Sequence, residues 1–364
     1  MNYQELLKIK ADLLCYGIRL TKQAEDVMKL RNRYVLEKGF MHAAHFLIDN
    51  VVINTCVSEK YCRSSPYVIR MDKDELILEK NIGDSSYYIS KIDVLHLPMW
   101  CETNIDGYNV GDYLRPHSSG CIACWPYLIC DYYKNNEQCK FCSMGDYRIH
   151  ARIAPEIVGK MINLALKYNP KYEIALSGGT CNEPDRSLAY FSEVCSRAKE
   201  AGAEYISVET APPEEMEFIN KIYRSGASAI IMNLEIADDE LRKKICPGKA
   251  TIPQQRYFDA FEYAVKIFGK GNVSSVLIAG LQPAADILSM AKRMIGMGVI
   301  PTIIPFKPLD GCSLRNAKIA NPKELLDIAK EIDSYLNLNR LCASEQHGCT
   351  KCNGCSIEAL YECV

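Results

Sequence analysis

The segment YEIALSGGT, residues 172–180, is a short apolar run that ends in two glycines. Similar runs recur at 205–209, 229–235, 273–279 and 300–306, and they alternate with the predicted helices 155–167, 187–201, 213–224, 253–269, 284–297 and 322–336. Strands that alternate with helices predict right-handed βαβ units and a parallel sheet. With one more strand expected at or just before residue 130, the pattern amounts to about six repeats.

Two regions of different character flank this pattern. Residues 1–115 combine helical periodicity over 3–45 with short β-rich runs between 51 and 97, which predicts a small antiparallel sheet. Residues 339–364 are rich in cysteine. We therefore expect an N-terminal α+β extension over 1–115, an α/β region over 116–338 and a Cys-rich C-terminal extension over 339–364.

Charge and hydropathy exclude several classes of protein. The 364 residues carry 43 basic and 45 acidic side chains, a net charge of -2, which argues against a general electrostatic footprint for nucleic acid. The N-terminus lacks a basic region followed by an apolar run, so no signal peptide is expected. No stretch approaches the roughly 18 apolar residues of a membrane span. We expect a cytoplasmic protein without a membrane or nucleic-acid partner.

The predicted strands end in polar residues or glycine. Ligands gather at the carboxyl ends of parallel strands, so these residues are candidates for a binding site. They are Ser177, Gly178, Gly179, Thr180, Glu209, Asn233, Glu235, Gly280 and Lys307. Two glycines in succession allow a ligand to approach the backbone closely.

A cysteine motif precedes the strand YEIALS. Cys130, Cys139 and Cys142 fall within thirteen residues of a chain that carries 18 cysteines. In a reducing compartment such clusters are more often metal ligands than disulfides. Three thiolates suit three irons of a four-iron cluster and leave one iron open. Cys121 or Cys124 is a rival first ligand, and a zinc site is the alternative interpretation.

These features resemble the radical S-adenosylmethionine (SAM) superfamily over roughly residues 118–340, in particular its biotin synthase and hydrogenase maturase branch. In that superfamily two residues separate the last two ligating cysteines, and one of the two is aromatic, as in Cys139-Lys-Phe141-Cys142. The usual spacing between the first two cysteines is three residues, whereas this chain has eight. A radical SAM family from nitrilase gene clusters shares the longer spacing and is also similar around Leu234 and Pro247.

The resemblance implies a partial (β/α)6 TIM-like barrel, a [4Fe-4S] cluster held by three cysteines and SAM, and SAM itself. It implies reductive cleavage of SAM to a 5′-deoxyadenosyl radical that removes hydrogen from a substrate. It also implies a flavodoxin or ferredoxin as electron donor and sensitivity to oxygen.

The resemblance further implies SAM-binding roles for individual residues. Phe141 and Ile278 are expected near the adenine, Ser177, Gly178, Gly179 and Thr180 near the SAM amine, Asn233 and Glu235 at the ribose, and Arg256 at the carboxylate. Thr180 stands where an acid is common. Glu209 and Lys307 are expected to point into the same mouth, where they touch substrate, form an internal ion pair or are solvated charges at the rim.

The C-terminal extension carries a second motif. Cys349, Cys352 and Cys355 repeat every third residue, as in ferredoxin-type ligation, and Cys342 or Cys363 completes four. A second [4Fe-4S] cluster is expected there, folded over the barrel mouth, where it donates sulfur, binds substrate or accepts an electron. A mononuclear iron or zinc site, with His347 as a further ligand, is the alternative.

Three functions follow. The first is a radical SAM enzyme that inserts sulfur into, rearranges or oxidises a small-molecule substrate in metabolite or cofactor biosynthesis. The second is radical SAM modification, including methylation, of a peptide, protein or tRNA, which requires residues 1–115 as a docking domain. The third is a non-catalytic iron–sulfur or zinc protein. Cobalamin dependence stays open, because no cobalamin-binding fold is recognisable.

Overall fold

A computed structural model describes residues 1–37, 44–118, 120–146, 151–343 and 346–357 of the chain. Its central element is a seven-stranded sheet in the order β10-β11-β12-β13-β14-β15-β16. The strands are β10 Leu114–Pro116, β11 Cys121–Cys124, β12 Glu173–Leu176, β13 Ile206–Thr210, β14 Ala229–Met232, β15 Val273–Ala279 and β16 Ile300–Pro305. β10 is antiparallel to β11, and the remaining six strands are parallel. The predicted α/β class and partial (β/α)6 barrel are confirmed.

Helices follow the parallel strands and bury their apolar faces against the outside of the sheet. Asn321 caps α10 by accepting hydrogen bonds from two backbone N–H groups, and Pro322 occupies its first turn, where a missing N–H costs nothing. None of the described helices is both long and apolar enough to cross a membrane. The helices are α1 Tyr3–Tyr16, α2 Lys22–Arg31, α3 Val110–Tyr113, α4 Pro155–Tyr168, α5 Leu188–Glu200, α6 Glu217–Arg224, α7 Asp239–Ile245, α8 Gln254–Phe268, α9 Ala284–Gly296, α10 Pro322–Leu338 and α11 Cys349–Cys352.

The N-terminal extension contains three small sheets, of which the four-stranded and three-stranded ones are ordered β1-β4-β5-β6 and β3-β2-β7. Strands β8 and β9 pair separately. The strands are β1 Arg19–Leu20, β2 Ala44–Ile48, β3 Val51–Thr55, β4 Tyr67–Asp72, β5 Glu75–Ile82, β6 Ser85–Lys91, β7 Asp93–Val94, β8 Asn104–Ile105 and β9 Tyr108–Asn109. The prediction of helix over 3–45 is wrong, because β1 interrupts it and β2 begins at Ala44. Residues 38–43 of that range lie outside the described residues.

The extension contacts the sheet near both of its edge strands. Beyond β10, the rings of His45 and His117 lie 4.8 Å apart between centroids. Beyond β16, Lys307 Nζ donates a hydrogen bond to the carbonyl oxygen of Asn54 at 3.1 Å. Lys307 therefore binds the extension, and no ion pair with Glu209 is found among the described residues. The β2–β3 hairpin spans the gap between the two edges of the half-barrel.

The fourth parallel strand is shorter than the sequence predicts. β14 ends at Met232, three residues before Glu235. Glu235 has φ of 70°, in the left-handed region that a side chain rarely adopts, so it cannot continue a strand. Its backbone still bridges to β15, because its N–H donates to Val276 O at 2.8 Å and its carbonyl accepts from Ile278 N at 3.0 Å. A strained residue at a strand end often marks a functional site.

Candidate functional site

The three motif cysteines meet at the carboxyl ends of the parallel strands. Burial raises the pKa of the Cys130 thiol, while the backbone N–H groups of Tyr132 and Thr180 lower it, and the charges of Cys139 and Cys130 both raise the pKa of Cys142. Cys142 and Cys130 pack against one small apolar cluster around Trp125 and Met144. Cys121 and Cys124 lie in β11 instead, outside this loop.

The eight residues between Cys130 and Cys139 pack against another segment of the chain. A side chain on Gly248 would overlap the ring of Tyr132, so the glycine is required for this contact. Gly248 N donates to Glu137 O at 2.9 Å, and Lys140 N donates to Ile245 O at 2.8 Å. The longer spacing is therefore accommodated by packing against residues 245–251.

The glycine pair after β12 fixes the cysteine loop from the other side. A Cβ on Gly179 would overlap the carbonyl oxygen of Ile129 and lie 2.7 Å from the backbone nitrogen of Cys130. A Cβ on Gly178 would lie 2.6 Å from the ring of Tyr127. Thr180 O accepts a hydrogen bond from Asp131 N at 3.0 Å. The absence of a side chain at both glycines thus allows other parts of the chain, and not only a ligand, to pack against them.

A polar network links the ends of β12, β13 and β14. Ser177 Oγ donates to Glu209 Oε2 at 2.8 Å, and Asn233 Nδ2 donates to Glu209 Oε1 at 2.6 Å. Asn233 Oδ1 in turn accepts from Val276 N at 3.0 Å. Burial raises the pKa of Glu209, although both hydrogen bonds stabilise its charged form. The four predicted strand-end residues Ser177, Glu209, Asn233 and Glu235 are brought to one edge.

Glu235 joins this network to the cysteines through two residues that the sequence analysis did not select as site residues. Lys249 Nζ donates to Glu235 Oε1 at 2.7 Å, and the pair is buried. Cys246 Sγ lies 3.6 Å and Cys139 Sγ 4.0 Å from Glu235 Oε2. The ligand atoms of Cys139, Glu235 and Cys246 all lie within 4.8 Å of one another, so they could hold a metal ion.

The only sequence signal for Lys249 is the family-like segment around Pro247, and no motif of the sequence includes Cys246. Burial is the largest single effect and lowers the pKa of Lys249, but the charges of Glu235, Tyr257 and Cys139 and the hydrogen bond to Glu235 together raise that pKa well above its usual value. Lys249 is therefore a permanent buried cation beside the cysteines, and its charge also lowers the pKa of Cys130 and Cys139.

Three other predicted residues lie as follows. The Arg256 guanidinium donates to Pro213 O at 2.9 and 2.7 Å and also to Glu214 O, so its donors bind a backbone turn. Ile278 is 3% exposed, and its backbone N–H donates to the carbonyl oxygen of Glu235 at 3.0 Å. Phe141 is half-buried between Cys139 and Cys142.

The C-terminal cysteines lie at the opposite end of the strands from the position expected over the barrel mouth. Glu173, the first residue of β12, accepts hydrogen bonds from Gly348 N at 2.7 Å and Lys351 Nζ at 2.9 Å. The ring of His347 stacks on Tyr205 with centroids 3.7 Å apart. Cys342 is disulfide-bonded, and Cys363 lies outside the described residues, so the role of either as a ligand stays a prediction.

The chemistry of the cysteine loop fits an iron–sulfur cluster. Burial, followed by the charge of Cys139, raises the pKa of Cys142 to about 12. A hydrogen bond to Cys246, followed by burial, raises the pKa of Cys139 well above its usual value. Thiols that raise one another's pKa are held as thiolates by a bound cation, and three of them on one loop match three irons.

Comparisons with known proteins match part of this chain to a family and to a curated protein. A profile described as "Radical SAM superfamily" matches residues 132–294. The bacteriochlorophyllide c C-7(1)-hydroxylase of Chlorobaculum limnaeum is 29% identical over 135 residues, which are 36% of this chain and 34% of the hydroxylase. Residues 132–294 of the chain therefore match a radical SAM domain, and members of that superfamily use a [4Fe-4S] cluster and S-adenosylmethionine.

Two solved structures are similar to this chain at low sequence identity. The hydrogenase maturase HydG of Carboxydothermus hydrogenoformans has a TM-score of 0.46 at 15% identity and covers 60% of this chain and 51% of its own. Streptococcus suis SuiB bound to S-adenosylmethionine has a TM-score of 0.47 at 15% identity and covers 62% and 50%. The chain thus spans about a third of the curated relative and about half of each structure.

We expect Gly179→Ala to release the cysteine loop, because the new methyl group would overlap the backbone of Ile129 and Cys130, which cannot turn aside as a side chain can. Iron content after anaerobic reconstitution should fall by about four per chain, the content of one such cluster. Gly296→Ala is the matched control, because nothing lies within 4 Å of its Cβ. Equal iron in both variants would contradict this account of the glycine.

Lys249→Met should leave the carboxylate of Glu235 buried without its cation. Removing one partner of a buried pair costs about 3–5 kcal/mol, which denaturant unfolding measures directly. Lys243→Met is the control, because Lys243 is 53% exposed and its pairs with Asp239 and Glu240 lie on the surface. The control should cost less than about 1 kcal/mol. Equal losses would show that the buried pair has no special role.

Proposed function

We propose that this protein oxidises an unactivated C–H bond of a small-molecule substrate by radical SAM chemistry, in the biosynthesis of a metabolite or cofactor. The observation that carries the proposal is the meeting of Cys130, Cys139 and Cys142 with the polar ends of neighbouring parallel strands. Strand ends of this kind gather ligands in α/β folds. The match to the superfamily supplies the chemistry for such a site.

In this proposal the three cysteines ligate three irons, and SAM binds beside the fourth. Backbone groups of residues 178–180 bind the amine of SAM. Asn233 and Glu235 bind its ribose, and Phe141 and Ile278 contact its adenine. When bound, the cluster and SAM supply a 5′-deoxyadenosyl radical that removes a hydrogen atom from the substrate. The chain's own residues orient these groups and exclude water.

We assign the carboxylate of SAM to Lys249 in place of Arg256. The donors of Arg256 bind the carbonyl oxygens of Pro213 and Glu214. The ammonium of Lys249 is buried and acts electrostatically on Cys130 and Cys139. A cation in such a dry site attracts an anionic group more strongly than one in water.

The closed side of the half-barrel supports a small substrate. The N-terminal extension bridges the sheet edges through the contacts of His45 with His117 and of Lys307 with Asn54. A peptide, protein or tRNA would have to displace buried contacts to reach the inner surface of the sheet.

The hydroxylase relative favours oxidation over sulfur insertion. Conversion of C–H to C–OH transfers one hydrogen atom to form 5′-deoxyadenosine. The substrate radical then loses one electron to an acceptor and forms a C–O bond to water, and one proton of that water is released to leave the hydroxyl group. Two electron carriers are therefore needed: a donor of the flavodoxin or ferredoxin class for SAM cleavage, and an acceptor for the second substrate electron. We propose the C-terminal cysteines as the site of that acceptor.

The test uses anaerobically reconstituted protein reduced with dithionite and given SAM in heavy-oxygen water. The substrates are bacteriochlorophyllide c in one reaction and a low-molecular-weight bacterial extract in another. We expect a product with one additional oxygen that carries the label, in an amount equal to the 5′-deoxyadenosine formed. A product that gains sulfur, or oxygen without the label, would contradict oxidation by this route.

A further inference from the structure

The Cys-rich C-terminal segment is bound to the inner surface of the sheet near the start of its strands. Glu173 holds it through Gly348 N and Lys351 Nζ, which flank Cys349 and adjoin Cys352. A Cβ on Gly348 would lie 2.6 Å from Ser207 Oγ of β13. The segment therefore reaches the sheet itself, and only a glycine permits that approach.

Cys121 is a buried thiol that faces this segment from β11. It pairs in register with Glu173, so both side chains lie on one face of the sheet. Cys121 N donates to Ser118 Oγ at 3.1 Å, and the Ser118 side chain lowers the pKa of the Cys352 thiol. Cys352 Sγ lies 4.0 Å from His117 O, and His117 N donates to Cys121 O at 2.8 Å.

These contacts make Cys121 a neighbour of the C-terminal thiols. Burial is the largest cause that raises the pKa of Cys121, and the charges of Cys352 and Cys349 are the next two. Cys355 in turn acts on both Cys349 and Cys352. The register of Cys121 with Glu173, the hydrogen bond of Glu173 to Gly348, and the contact of Cys352 with His117 therefore bring Cys121 close to the C-terminal thiols.

Polar groups suited to sulfur surround these thiols. Asn54 Nδ2 donates to Cys355 Sγ at 3.4 Å. Asn353 Nδ2 and Ser207 Oγ are buried and have no hydrogen-bond partner among the residues that the structure describes. The buried ammonium of Lys10 donates to Asn353 O at 2.6 Å and lies close enough to Cys352 to lower its pKa. Such donors and cations stabilise the negative charge of an iron–sulfur cluster.

Other cysteines are less suited to complete the set. Cys342 is disulfide-bonded, so it offers no thiolate in this state. Cys124 is an odd number of residues from Cys121 along β11 and therefore points to the opposite face, where it neighbours Cys195. Cys56 lies against Cys62 and Tyr61. Among the groups that shift the pKa of Cys56, Cys355 has the smallest effect.

We propose that Cys121, Cys349, Cys352 and Cys355 together hold a second [4Fe-4S] cluster, with Cys121 as the ligand from the barrel. The spacing of the last three matches ferredoxin-type ligation, and Cys121 supplies the fourth thiolate that a fully ligated cluster needs. The ligand set is inferred from the contacts of these cysteines alone. The role of the cluster as electron acceptor rests on the proposed function.

Its position suits that role. Ser207 and Glu209 are two residues apart on β13, so they share a face and lie roughly 7 Å apart along the strand. Ser207 meets the C-terminal segment, and Glu209 belongs to the polar network at the other end. A substrate bound between them would be close to both cysteine sites. The electron that the substrate loses would reduce the second cluster by one electron.

The test counts iron and sulfide in full-length protein with Cys130, Cys139 and Cys142 replaced by Ala, so that the remaining cluster is independent of SAM chemistry. This background should retain about four irons and four sulfides, with one cluster seen by Mössbauer spectroscopy. Adding Cys121→Ala or Cys121→Ser should lower the iron to about three or less, with the signal of a three-iron cluster or none.

Cys124→Ala in the same background is the matched control and should retain the four-iron signal. Circular dichroism on each variant verifies folding, and the Ser variant serves where Ala fails to fold. An unchanged cluster without Cys121, zinc in place of iron, or no metal in the background protein would each overturn the inference. Failure of the proposed function is a separate result, because wild-type protein would then form no oxygen-labelled product.

Discussion

The approach of Gly179 to the peptide between Ile129 and Cys130 is the contact on which the cysteine loop depends. No side chain fits between them, so the end of β12 and the start of the loop are in direct backbone contact. Beside it, Asp131 N donates to Thr180 O at 3.0 Å, and the backbone of Thr180 lowers the pKa of the Cys130 thiol. A single strand end thus both positions a metal ligand and borders the site where SAM is proposed to bind.

The loop is held equally firmly on its other side. Tyr132 and Glu137 pack against Gly248, in the segment that carries Lys249. That segment is organised by Arg242, which is fully buried and donates to Ile252 O at 3.0 Å and Lys249 O at 2.8 Å. The buried cation at Lys249 and the cysteines therefore belong to one packed unit. The eight residues of the longer spacing include Tyr132 and Glu137, which make these contacts.

Much of the fold was predictable because local pattern and tertiary structure agree in the parallel sheet. β15 spans the residues expected for it, and α9 differs only at its end. The errors have local physical causes. Glu235 ends the strand pattern early by its positive φ, and β1 breaks a helical periodicity that looked continuous. A sequence pattern cannot reveal a backbone conformation that distant packing imposes.

The site was predictable in outline and not in its pairings. Strand-end position identified Glu209, Asn233 and Glu235, since parallel strands bring their ends together whatever the side chains. Arg256 was expected at a ligand and instead caps a backbone turn. Cys246 interacts with Cys139, and Cys121 with Cys349 and Cys352, across more than a hundred positions of sequence. No local spacing marks such contacts.

The central claim is that Cys130, Cys139 and Cys142 form a site that cleaves SAM. Its most direct test measures 5′-deoxyadenosine formed from SAM by the anaerobically reconstituted, dithionite-reduced protein, beside the variant with all three cysteines replaced by Ala. The account predicts formation by the wild-type protein and none above background by the variant. Equal formation by both proteins, or none by a wild-type protein that contains its full iron, would contradict it.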